Sequence, residues 1–202
     1  MTDEELDTTL ADDYSNWSDA KTSYIPAINR QSDLLILWQR SQLVTIQTVA
    51  NLQVYTNLIR SALDTLPPQL QWRGGLSRPP QSNFGTDAQT ANLYITQLHI
   101  RYNLLEQMAD ISHQPGAGTL GICTPELTSE RRFIVEDMLQ IVQTVPRTII
   151  QASGASLVHK IRDIGAALLQ QPFSNDSSVS DPQRNNKLCL VLKILKELEG
   201  QA

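Results

Sequence analysis

Between Thr86 and Ile111 the apolar residues recur at steps of four and three: Ala91, Ile95, Leu98, Tyr102, Leu105 and Ala109. A second apolar row, Leu93, Ile100, Leu104 and Met108, runs beside the first. Steps of three and four keep side chains on one face of a 3.6-residue helix, so this segment reads as a helix from Thr86 or Asp87. A helix apolar on two sides belongs at the centre of a bundle, with neighbours on both. The chain that supplies those neighbours has 202 residues, enough for one sizeable domain with its own core.

The same period appears elsewhere. A long segment from about Ser32 to Leu66 places Leu52, Tyr55, Ile59, Ala62 and Leu66 on one face. Leu43, Ile46, Ala50 and Val54 fall on a neighbouring face. Asp33 is placed to cap or charge its start, and a break is expected near Arg40–Val44, although no Gly or Pro forces one. Pro67 and Pro68 end it, since each lacks an N–H and crowds the preceding turn. The loop through Gly85 is polar except for Leu70, Trp72 and Leu76, and Trp72 reads as the residue that anchors it. A third helix is expected from Thr128 or Ser129 to Pro146, with Ile134, Met138, Ile141 and Val145 inward. A fourth covers Ala155 to Gln171, with Leu157, Ile161, Ile164 and Leu168 inward and Gly165 allowing close packing. A fifth covers Gln183 to Glu199, with Leu188, Val191, Leu195 and Leu198 inward. No segment alternates as a strand would. The expected fold is all-α, an irregular bundle of about five main helices with an acidic N-terminal head.

That head carries the charge. Residues 1–20 hold seven acidic residues and no Lys or Arg, while the remaining chain has 16 basic and 14 acidic residues. No basic stripe for phosphates emerges, which argues against DNA binding by this chain itself. Residues 1–30 read as a partly disordered or extended head and 31–202 as the helical domain. Tyr14 and Trp17 interleave with the acids, a pattern shared by solubilising tails and by activation segments that keep aromatics available to a partner. The longest apolar run, Asp33–Trp38, is too short to span a bilayer. Cys123 and Cys189 stand alone, as in a reduced intracellular protein.

Sites for chemistry are sparse. Gly116–Gly121 matches G-x-G-x-x-G, but a helix precedes it where the dinucleotide motif needs a strand, so it reads as a loop. His99, His113 and His159 lack ligand spacing, and no metal, cofactor or catalytic residue is assigned. The charged runs Glu130–Arg132 and His159–Asp163 read first as solvated salt-bridging surface. A sharper alternative has Arg131, Arg132, Lys160 and Arg162 docking another segment, such as the acidic head.

Some of these residues also fall in a familiar order. Leu66, Pro67, Leu70 and Trp72 form Leu-Pro-x-x-Leu-x-Trp; Leu98, His99 and Tyr102 then form Leu-His-x-x-Tyr on the next helix. With Ser156–Leu169 and the acidic start, this order resembles the C-terminal half of the fungal-specific transcription factor regulatory domain. That middle homology region accompanies binuclear Zn2Cys6 DNA-binding modules. The chain departs from the pattern at Gln114, Pro115 and Gly116, where Arg-Pro-Phe is usual, and at Ala11, where Pro is usual. The Zn2Cys6 module and the first half of the regulatory domain are not in this sequence, so a partial or stand-alone derivative is expected. The resemblance implies a nuclear, non-enzymatic regulator that acts through protein partners, a homodimer or a small-molecule effector. DNA would be reached only through the Zn2Cys6 module. Trp72, His99, Tyr102 and Glu106 are expected either to border a pocket or, for Trp72 and Tyr102, simply to pack. Two other readings stay open: a stand-alone interaction protein such as a dominant-negative dimeriser, and a helical domain or enzyme enclosing a small molecule.

Overall fold

Pro26 lies in the first turn of the opening helix, where its fixed φ suits the helix and its missing N–H goes unneeded. In the computed structural model, which describes residues 24–72, 84–112, 124–170 and 182–199, helix α1 therefore spans Ile25–Gln42 and begins earlier than Ser32. Asp33 lies inside it and pairs with Arg30 at 2.9 Å, so it caps nothing. The expected break is present. Val44, Thr45 and Ile46 are β-branched and lose rotamer freedom in a helix. Thr48, extended at φ −121°, accepts a hydrogen bond from the Asn51 N–H at 3.2 Å and starts α2, Val49–Ser61.

After α2 the chain turns through Pro67 into a 3-10 turn, Pro68–Leu70. Leu66 and Leu70 are buried there, and the Trp72 backbone N–H donates to Tyr94 Oη at 3.0 Å. The apolar residues of the motif thus pin the loop to the core, with Leu70 buried more deeply than Trp72.

Helix α3, Phe84–Ser112, is the centre. Both its apolar rows are buried, and α1, α2, α4 (Thr124–Thr144) and α6 (Gly154–Gln170) pack around it. Pro125 sits in the first turn of α4, which starts before Thr128 for the reason given for α1. A short helix, α5, Arg147–Ala152, fills the interval after Pro146, with Ile149 and Ile150 buried. Gly154 follows it at φ +67°, the left-handed conformation favoured just past a helix end. Helix α7, Pro182–Glu199, packs on α6, where a Cβ on Gly165 would lie 2.7 Å from Val191 Cγ1. The described residues thus form seven α-helices and no strand. The five expected become seven because one is broken and α5 is added. None of these helices is long and apolar enough to cross a membrane. The acidic head as far as residue 23, the Gly116–Gly121 stretch, His113, Cys123 and most of the linker before α7 lie outside the described residues.

Helices α1 and α2 form a hairpin. Arg30 near the start of α1 donates to Thr65 Oγ1, just beyond α2, at 2.5 Å. Leu34 on α1 and Leu52 and Ile59 on α2 face the core, whereas the row Leu43, Ile46, Ala50 and Val54 is exposed. Of the two neighbouring apolar faces expected of one long helix, the second, which begins in the break at 43–48, is thus left outside the core.

Candidate functional site

The polar groups of the molecule meet mainly along α3. Thr96 is buried, and its Oγ1 accepts from Lys160 Nζ of α6 at 2.8 Å and from Gln31 Nε2 of α1 at 3.3 Å. One hydroxyl thus joins three helices. A turn later His99 Nε2 lies 2.9 Å from Asp163 Oδ2 of α6, and His159 Nε2 approaches the same oxygen at 3.3 Å. The pairs 96–160 and 99–163 share an offset of 64 residues, so α3 and α6 run parallel and in step.

Electrostatics follow from this placement. Burial pulls the His99 pKa below its usual value, against the opposing pull of Asp163, and so favours the neutral ring. A neutral His99 protonated on Nε2 donates to the carboxylate. Lys160 is also lowered by burial. A His–carboxylate pair is two parts of a general-base arrangement. Here its surroundings are Asn103, Lys160 and the second histidine. Among the described residues no group of three or more His, Cys, Asp or Glu is arranged to hold a metal.

A second assembly lies where α2, α3 and α4 meet. Glu130 Oε1 accepts from Arg101 at 2.6 Å and Arg60 at 2.7 Å. Burial alone would raise the Glu130 carboxyl, but the two guanidiniums overcome it and hold the pKa below normal. Gln97 beside it donates to the carbonyls of Ile59 and Arg60 at 2.8 and 2.9 Å, capping the end of α2. Arg131 pairs with Glu106 through Nη2 at 2.6 Å.

These positions revise the expectations for the charged runs. Glu130 joins three helices and is not solvated surface. Arg131 and Lys160 are committed to Glu106 and Thr96, while Arg132 is exposed and lies over the ring of Phe133 at 5.7 Å. Arg131, Arg132 and Lys160 therefore do not converge on one docking site. Trp72 is held at Tyr94, His99 at Asp163, Glu106 at Arg131, and Tyr102 is buried in the core. Sequence reasoning passed over Thr96 and read Glu130 as solvated surface because their partners lie 29 to 70 residues away, beyond any local spacing.

Val142, Val145, Ile150, Leu190 and Ile194 line a cavity of about 170 Å³ between α4, α5 and α7. Drug-sized ligands occupy roughly 300–1,000 Å³. A larger groove of about 610 Å³ beside Pro26, Arg30 and Pro67 lies open to solvent.

Compared with models of protein families, with curated proteins and with solved structures, the chain matches none.

Proposed function

We propose that this chain is a regulatory, non-enzymatic helical domain, the part of a fungal transcription factor that acts in the nucleus without itself touching DNA. The observation that carries the protein-contact part of this reading is the partition of polar and apolar groups. Arg60, Arg101, Glu106, Glu130 and Arg131 are spent in ties between helices, while large aliphatic side chains stay exposed on the α1–α2 hairpin. A domain built this way offers other proteins a surface and offers a substrate little. The transcriptional part rests on the ordered motifs at Leu66–Trp72, Leu98–Tyr102 and Ser156–Leu169.

Fusion of the chain to a heterologous DNA-binding domain tests it. The expected result is a change in reporter output, in either direction, relative to the DNA-binding domain alone. A folded fusion with unchanged output contradicts the reading. The exposed hairpin also favours a second reading, a stand-alone interaction protein that sequesters partners; reporter silence together with recovery of a stoichiometric complex would select it.

A further inference from the structure

Helix α7 is shallowly seated. Among its described side chains Val191 alone is buried, while Leu188, Leu190, Ile194 and Leu195 are half-buried. It rests chiefly on α6, with Val191 at Gly165, and Lys187 Nζ ties it to Glu136 Oε1 of α4 at 2.8 Å. Between α7 and the junction of α4 with α5 lies the cavity of about 170 Å³. Val142 and Val145 wall it from the α4 side, Ile150 from α5, and Leu190 and Ile194 from α7. Gln143, Arg147 and Gln151 also line it; Gln143 and Arg147 are exposed and so stand at its mouth. A shallower groove of about 340 Å³ shares Gln143 and Leu190 with the cavity. It runs between α4 and α7 to the Lys187–Glu136 pair and gives an approach from solvent.

We infer that this cavity binds a small, uncharged, mainly apolar molecule of about six to eight non-hydrogen atoms, and that the bound molecule fastens α7 to α4 and α5. Size sets the upper limit: an apolar cavity of about 150 Å³ holds one benzene, whereas drug-sized molecules need roughly 300 Å³ or more. Wall chemistry sets the polarity. The five aliphatic side chains offer no hydrogen bond, and burying a charge among them is costly. Among the described residues no Asp, Glu, His or Cys lines the cavity, so a cation finds no partner there. Arg147 stands in water at the mouth, where pairing with an anion contributes little. Gln143 and Gln151 each carry an amide donor and acceptor, which suit one hydroxyl or carbonyl at the outer end of the molecule. The coupling to α7 follows because Leu190 and Ile194 belong to that helix and the facing walls do not. The inference goes beyond the regulatory reading and does not depend on it, since it concerns what the chain itself binds.

Methyl NMR of the full chain, titrated with benzene and with hexanol, tests it. Saturable shifts should be confined to Val142, Val145, Ile150, Leu190 and Ile194, with buried Leu34, Leu52 and Ile59 of the α1–α2 hairpin unmoved. The expected dissociation constant is on the order of 0.1–1 mM. Hydrogen exchange of α7 amides should slow about tenfold when benzene is at roughly ten times its dissociation constant. Ile194→Phe and Val145→Phe each set a ring inside the cavity and should weaken binding at least about tenfold. Circular dichroism and the hairpin methyls report that each variant is folded. The absence of a saturable shift at the five methyls overturns the inference, and so does binding that survives in both folded variants. Hexanoate binding more tightly than hexanol overturns the uncharged class and points to Arg147 instead. Unchanged α7 exchange at saturation overturns the coupling to that helix.

Discussion

Glu130 illustrates how one side chain can hold three helices. Its carboxylate is mostly buried between Arg60 and Arg101, and the Arg101 Nε already has no hydrogen-bond partner among the described residues. Glu130→Gln removes the compensating charge and is expected to cost about 2–3 kcal/mol in urea unfolding. Its folded pKa lies below the ordinary 4.5, so its contribution is complete above that value and disappears as pH falls through the lower, folded one. His99 acts in the same direction at milder pH. Its folded pKa lies below 6.5, so the unfolded chain takes up the proton first and stability falls on acidification from that point. Denaturation midpoints measured from pH 7 down to 3 should decline in these two stages, and Glu130→Gln should flatten the second. Thr96→Val removes the acceptor shared by Lys160 and Gln31 and should cost about 1–2 kcal/mol, because a half-buried ammonium loses its acceptor. Thr96 drew no notice in the sequence, and Glu130 read there as part of a solvated charged run. Each is a polar residue whose importance depends on partners brought in by packing.

Helices were more legible than their ends. The period of three and four located α3, α4 and α6 because each buries continuous apolar rows, two on α3 and one on α4, where Ile134, Met138 and Ile141 are buried. The N-termini of α1 and α4 lie upstream of their apolar stripes, at Pro26 and Pro125, where helix geometry favours proline but the hydrophobic pattern has not begun. The break after Gln42 depends on the Thr48 cap. Thr48→Ala is expected to cost about 1 kcal/mol and to raise hydrogen exchange in the first turn of α2. Between α6 and α7, Gly165 permits the approach of Val191. Gly165→Ala should destabilise by about 1–3 kcal/mol through overpacking. Val191→Ala in the same chain should recover part of that loss, a coupling that a double-mutant cycle in guanidinium measures.

At the scale of the whole molecule, two parallel alignments organise the bundle. Helix α1 runs beside α3 at an offset of 65 residues and α6 at 64, so both helices meet α3 in the same direction. The sequence indicated a central helix with neighbours on both sides, since only such a place satisfies two apolar rows. Among the described residues most of the exposed large aliphatic side chains lie on the α1–α2 hairpin, while α3 keeps its two rows covered and exposes Phe84 at its start. The proposed regulation by protein contact would act there, since the exposed aliphatic side chains are where binding removes apolar surface from water.

The most direct measurement is reporter output from two fusions to the same DNA-binding domain, one carrying the chain as it stands and one carrying Ile36→Glu with Val54→Glu. The account predicts that the first alters output, and that the second, equally folded and equally abundant, returns it to that of the DNA-binding domain alone. An identical effect from both fusions would contradict the claim that the exposed aliphatic side chains of the hairpin carry the function, and no effect from either would contradict the regulatory reading itself.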